Sequence, residues 1–360
     1  MSVGTMGKRG MPRRARRMAA ALALGALLAG AGLTGLAGCG EGATAKGGPV
    51  TLRLGHFPNL THATPIVGME KGILAERLGP NVKIEIRTFN AGPEAVEALF
   101  SGAIDATYIG PNPAINAWAR SRGKAIKIVS GAASGGAAFV VKPSITRPED
   151  VRGRKIATPQ LGNTQDVALR HWLRQQGLNT TREGGGDVQV VPQDNAVTVE
   201  AFKNNAIDGA WVPEPTLSRL VAAGGKVLVD ERDLWPGGRF VVTHLAVSQT
   251  FLSRHRDVVK RLVAGSVAAN RLIRDDPAQA QQLVSAGIGR LAGKPLDAAL
   301  VAQAWRTLEF LDDPLAASLR EGARHAEEVG LLEPVDLTGL YDLSLLNEVL
   351  TGQGSPEVRA

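Results

Sequence analysis

An α/β protein built as two similar lobes is what this sequence predicts. Three observations carry that expectation. Apolar, β-rich stretches alternate with helix-period stretches, a ten-residue pattern occurs twice, and loops rich in Gly, Pro, Asn and Thr follow strand after strand.

The alternation predicts mainly parallel sheets flanked by helices. Strands are expected near Thr51–Gly55, Val82–Phe89, Ala106–Ile109, Ile126–Ser130, Ala138–Lys142, Lys155–Ala157, Val188–Val191, Gly209–Val212, Lys226–Val229 and Phe240–Ser248. Helices are expected at Glu94–Ser101, Pro113–Arg122, Thr164–Gln176, Val197–Asn204 and Thr216–Ala223, followed by a nearly all-helical stretch from Phe251 to Leu350. Residues 351–360, TGQGSPEVRA, read as a disordered tail.

The repeated pattern is Val96-Glu97-Ala98-Leu99-Phe100-Ser101-Gly102-Ala103-Ile104-Asp105, matched by Val199-Glu200-Ala201-Phe202-Lys203-Asn204-Asn205-Ala206-Ile207-Asp208. Both copies read helix, tight turn, strand. Each then reaches an aromatic residue and a proline-rich loop, Tyr108-Ile109-Gly110-Pro111-Asn112-Pro113 and Trp211-Val212-Pro213-Glu214-Pro215. Two similar α/β lobes follow from such a repeat.

At the N-terminus, Lys8, Arg9, Arg13, Arg14, Arg16 and Arg17 precede an apolar run from Met18 to Gly38, which is the order of an export signal. The run ends Leu36-Ala37-Gly38-Cys39, which resembles the bacterial lipoprotein signal. Residues 1–38 then form a signal peptide, and Cys39 carries the lipid. Cys39 is the single cysteine, so an internal disulfide is excluded. Residues 39–49 read as a flexible tether between lipid and folded body, which places the protein on the extracytoplasmic face of the cell membrane. The chain has a net charge of +7, and removing the six basic residues of the signal leaves +1. Nothing in that balance points to nucleic acid.

In open α/β sheets a ligand sits beyond the carboxyl ends of the strands, where helix N-termini point free N–H groups outward. Candidate contacts are Asn59, Thr61 and His62 after the first strand, Ser134 beside Gly135-Gly136, and Gln160, Asn163 and Thr164 at the start of an amphipathic helix. Tyr108, Asn112, Trp211 and Glu214 in the two proline-rich loops complete the set. Tyr108 and Trp211 read equally as lobe packing, and His62 as a cap or surface residue. Three readings are open for Glu214: a cap on its own helix, a partner for a cation or His62 on closure, or a contact for an amine on the ligand.

The pattern resembles the solute-binding proteins of ABC importers in the aliphatic-sulfonate, nitrate and taurine group. The resemblance rests on Phe89-Asn90-Ala91-Gly92-Pro93 through Ala98 to Asp105, on Gly162-Asn163-Thr164, on Asp208-Gly209-Ala210-Trp211 and on Pro213-Glu214-Pro215, and it spans Leu52 to Leu262. It implies a type II periplasmic-binding-protein-like fold with a double crossover hinge, lobe one from 50–137 and 240–350 and lobe two from 138–239. Crossovers fall near Ala138–Val141 and Phe240–Val242. It further implies hinge closure on a small anionic or polar solute, a permease and its ATPase as partners, a monomer and no cofactor. Pro111-Asn112-Pro113 departs from the sulfonate binders, which carry an acidic residue in that loop.

Enzyme signatures are missing: no H-E-x-x-H or G-x-S-x-G occurs, and no Gly-Lys pair is followed by Ser or Thr. The histidines at positions 56, 62, 171, 244, 255 and 325 lack tight metal-ligand spacing. The competing classes are a binder or enzyme for a pyrimidine or amine, and a ligand sensor without transport.

Overall fold

Among the residues described by the computed structural model, 48–293 and 295–360, eleven strands form two mixed sheets. The signal segment, Cys39 and the tether up to position 47 lie outside the described residues. Strands β1 (Val50–His56), β2 (Val82–Thr88), β3 (Ala106–Ile109), β4 (Ile126–Gly135), β5 (Ala137–Val141), β6 (Lys155–Thr158), β7 (Gln189–Pro192), β8 (Gly209–Pro213), β9 (Lys226–Asp230) and β10 (Val241–Ser248) match the ten expected from the sequence. Their ends move by a residue or two, except that β4 runs on to Gly135. An eleventh, β11 (Leu308–Phe310), interrupts the stretch expected to be helical.

Among the described residues thirteen α-helices accompany the strands: α1 (Ala63–Glu70), α2 (Ile73–Leu78), α3 (Gly92–Phe100), α4 (Pro111–Arg120), α5 (Thr164–Gln175), α6 (Asn195–Lys203), α7 (Thr216–Ala222), α8 (Gln249–Arg254), α9 (Arg256–Asp275), α10 (Pro277–Ala292), α11 (Ala298–Trp305), α12 (Ala316–Glu328) and α13 (Ser344–Thr351). None of the described helices is long and apolar enough to cross a membrane.

The first sheet has the order β11-β4-β10-β3-β1-β2 and the second β7-β6-β8-β5-β9. Strands β1, β2 and β3 are parallel, as are β6, β7 and β8. The expectation of mainly parallel sheets is corrected at β10, antiparallel to β3 and β4, at β11, antiparallel to β4, and at β5, antiparallel to β8 and β9. Strands β5 and β10 are the ones the chain enters from the other sheet, through Gly136 and through 231–240. A strand entered from the side that its neighbours' carboxyl ends face must run away from that side, and so against them.

Helices cover both faces of each sheet. One apolar cluster packs β1, β3 and β10 against α2, α9 and α13 through Leu52, Leu54, Tyr108, Leu245, Leu262 and Leu346, and another packs α3, α4 and α12 on the opposite face through Val96, Ile115, Trp118 and Leu319. In the second sheet Phe139, Leu169, Trp172 and Trp211 fill one face and Phe202, Ile207 and Leu220 the other. The tail expected to be disordered folds back, with the Asn347 side chain donating to the Val358 carbonyl at 3.0 Å and accepting from its N–H at 2.9 Å.

Candidate functional site

Between the carboxyl ends of the two sets of parallel strands, the starts of four α-helices and one 3-10 turn converge on a cavity of about 30 Å³. Asn59 and Thr61 come from the turn after β1, Ala91 and Gly92 from the start of α3, Gly110 from the cap of α4, Asn163, Thr164 and Gln165 from α5, and Asn195 from α6. The first N–H groups of a helix have no carbonyl in a preceding turn and carry the positive end of its dipole. None of the lining residues is an Asp, Glu, Lys or Arg. The environment favours negative charge while offering only neutral donors.

Two loops form the walls, and they are held differently. In the second sheet, the Asn163 side chain caps α5 by accepting from the Asp166 N–H at 2.8 Å. The fully buried Asp166 carboxylate accepts from Thr158 Oγ1 and the Gly162 N–H, both at 2.9 Å, and from Arg170 Nε at 3.1 Å. The whole 158–164 loop is therefore laced to one carboxylate, whose charge Arg170 offsets. In the first sheet the equivalent loop is held by rings: Phe57 lies 4.3 Å from His62, and the Phe57 N–H points to His62 Nδ1 at 3.4 Å. Burial, with His56 nearby, pushes the His62 imidazole well below its ordinary range and keeps it neutral.

Contacts cross between the sheets around the cavity rim. The Asn90 side chain donates to the Pro159 carbonyl and accepts from the Asn195 N–H, both at 3.2 Å. The Leu60 N–H donates to the Glu214 carbonyl at 3.0 Å, and Gln160 Nε2 donates to Glu94 at 3.3 Å. Where α4 meets α5, a Cβ on Gly110 would stand 2.5 Å from Thr164 Oγ1, so glycine lets the two helix starts come this close.

The family model described as the NMT1-like family matches residues 45–288. The chain belongs to the NMT1-like family. A taurine-binding periplasmic protein of Escherichia coli K12 is 28% identical over 191 residues, 52% of this chain and 57% of that protein. The chain thus spans little more than half the length of that relative. A putative aliphatic sulfonates-binding protein of the same organism is 27% identical over 250 residues, 68% of this chain and 74% of its own length. Among solved structures, the periplasmic nitrate-binding protein NrtA of Synechocystis PCC 6803 superposes with a TM-score of 0.71 at 15% identity, covering 85% of this chain and 90% of NrtA. At that identity the likeness is one of fold.

In this NMT1-like fold, Asn59, Thr61, His62, Asn163 and Thr164, all named as candidates, line the cavity. Gln160 sits at the rim. Five other candidates face elsewhere. Tyr108 and Trp211 are packed into the two sheet cores, Trp211 stacking on Phe139 and donating Nε1–H to Glu231 at 2.7 Å. Asn112 turns back to donate to the Gly322 carbonyl at 2.9 Å, because it lies in the first turn of α4 on the face that α12 covers. Ser134 Oγ accepts from the Phe240 N–H, tying the two crossing segments together. The Glu214 carboxylate accepts from the Ser218 N–H at 3.0 Å and Ser218 Oγ at 2.8 Å, so in this conformation it caps its own helix, and burial raises its pKa to about 7.

Asn90, Gln165 and Asn195, which are not among the named candidate contacts, also line the cavity. The repeat held a signal for two of the elements: if α3 and α6 are equivalent, both starts face the same cleft, and the residues opening them belong to the site. A larger cavity, about 760 Å³, lies between α5, α12 and the 231–239 segment. Only one α-helix start, that of α12, reaches it, and its wall mixes charges of both signs, so convergence of α-helix starts singles out the smaller cavity. No group of three or more His, Cys, Asp or Glu is placed to hold a metal among the described residues.

Proposed function

We propose that this protein is the extracytoplasmic solute-binding component of an ABC importer, capturing a small anionic solute of the sulfonate, taurine or nitrate kind and delivering it to a permease and its ATPase. The observation that carries the reading is the convergence of helix starts and neutral donors on one small cavity without a charged side chain. The names of the relatives support it, and so does the family.

On this reading 50–137 with 240–350 and 138–239 are two lobes that close by a hinge at Gly136 and 231–240, the chain works as a monomer and performs no chemistry of its own, and Cys39 holds it to lipid outside the cytoplasm. Asn195 Oδ1, buried and without a hydrogen-bond partner, adds an acceptor to the cavity wall and favours a solute that pairs its anion with an ammonium, as taurine does.

A thermal-shift and calorimetric panel of taurine, ethanesulfonate, nitrate, pyrimidines and simple amines tests the proposal. A solute present at a hundred times its dissociation constant adds about 2.7 kcal/mol of stability. Thr164→Val keeps the shape and removes the hydroxyl, and taurine affinity is expected to fall by about 1–3 kcal/mol. Stabilisation by amines or pyrimidines with none by the anions overturns the reading.

A further inference from the structure

The second, larger cavity contains a contact that the solute site does not use. His171 on α5 and His325 on α12 stack face to face, ring centres 3.6 Å apart and planes 13° from parallel. Helix α5 packs on the second sheet through Leu169, Trp172 and Leu173, and α12 on the first through Leu319 and Ala323, so the stack bridges the two lobes. We propose that His171 and His325 form an acid-sensitive latch: uncharged, the stacked rings hold the lobes closed, and protonation drives them apart. The proposal rests on the reading that the lobes close by a hinge.

The neighbours of each ring limit how many protons the stack accepts. On α12, Glu328 lies 3.3 Å from His171 Nδ1 and Glu321 lies 3.2 Å from His325 Nε2, but Arg324 pairs with both carboxylates. On α5, Gln175 Nε2 sits 2.9 Å from His171 Nε2. From the 231–239 segment come Trp235, 5.4 Å from His325, Glu231 and Arg239, and Asp313, Arg320 and Arg359 border the same cavity. One added proton finds a carboxylate that already serves an arginine. A second puts two imidazolium rings in direct contact, where like charges repel most.

Burial, with His325 alongside, pushes the His171 imidazole down to about 4, and burial pushes His325 down as well. Both directions mean that the closed form binds fewer protons than an open form with solvated rings. Closure is therefore fully favoured above the ordinary histidine range near 6.5 and is lost as pH falls from there toward about 4. Affinity for a solute that needs closure is expected to be about tenfold lower at pH 5 than at pH 7.5.

The test uses the full chain in a Cys39→Ser background with nitroxides on cysteines introduced at the exposed Ser101 and Lys203, one on each lobe. With no solute present, the spin–spin distance is expected to lengthen between pH 7.5 and pH 5. His171→Phe and His325→Phe, which keep an aromatic ring and cannot titrate, are expected to hold the short distance at pH 5. No lengthening in the parent protein overturns the latch. So does equal lengthening in both variants, which would assign the opening to other buried groups such as His56 and His62. Should the variants not fold, titration of the parent imidazoles by nuclear magnetic resonance decides, and titration of His171 and His325 near 6.5 refutes the proposal. Because these measurements need no solute, they stand apart from the outcome of the solute panel.

Discussion

After β3 the first lobe turns through Gly110 into α4, whereas after β8 the second lobe turns through Glu214 into α7, although the units leading there match in the hydrogen bonds their backbones make. In the first, the Asp105 side chain accepts from the Arg53 N–H at 2.9 Å and the Asp105 N–H donates to the Arg53 carbonyl at 2.8 Å. In the second, Asp208 and Lys155 make the same pair of bonds at the same distances. Ala103 donates to the Ala98 carbonyl as Ala206 does to Ala201, both at 2.8 Å, and Gly102 and Asn205 occupy the same left-handed turn position at φ 70° and 59°. The shared part is scaffold. The divergent part is the loop beyond each strand, bare backbone pressed against Thr164 in one lobe and a self-capping carboxylate in the other.

The loops after β1 and β6 differ in a second way, and breaking that difference should have the largest effect. Rings hold 57–62, while an ion pair holds 158–164. Arg170→Met leaves the fully buried Asp166 without its cation, and loss of one member of a buried pair costs about 3–5 kcal/mol. A fall in melting temperature with weakened taurine binding is expected, and an unchanged melting curve would show that Thr158 and Gly162 suffice to hold the loop.

Next in size is Gly110→Ala. Its Cβ would collide with Thr164, and overpacking of a tight contact costs about 1–3 kcal/mol. Calorimetry is expected to show that loss in affinity, with a smaller change in unliganded stability. In a Thr164→Ala background, where the colliding hydroxyl is gone, Gly110→Ala is expected to cost little further affinity, which separates collision from a lost donor.

Glu214→Gln probes the opposite loop. With a pKa raised to about 7 by burial, Glu214 contributes stability that is fully present below its ordinary value of 4.5 and is lost as pH rises through about 7. The variant is expected to flatten that part of the pH–stability curve and to change taurine affinity by less than about 1 kcal/mol. A large loss of affinity with an unchanged melting temperature would instead return Glu214 to the cleft.

The smallest effect compares the repeats at their turns. Gly102→Ala places a Cβ at positive φ and should cost about 1 kcal/mol, whereas Asn205→Gly, already in that conformation, should change stability by only a few tenths. Denaturant melts resolve the difference.

How far the site was legible follows from the kind of signal each residue carries. Thr164 and Asn163 were readable because a polar cap before an amphipathic run is a local pattern. Asn195 was not, since it comes to the cavity beside a partner about a hundred positions away, its N–H donating to the Asn90 side chain. Asn112 was misplaced for the converse reason: its loop reaches the cleft, but its side chain is claimed by Gly322, and Trp211, left open between packing and ligand contact, is claimed by Glu231.

By itself the sequence determined the strands, the helices that separate them and the doubling of the helix–turn–strand unit, because hydrophobic period, caps and turn residues act over a few positions. Only the tertiary structure decided that β5 and β10 run against their neighbours, that Gly110 touches Thr164, that the Glu214 carboxylate serves Ser218, and that His171 meets His325. Each of these depends on where two distant segments meet. Burial, close approach and competition for a hydrogen-bond partner arise only when both segments are in place.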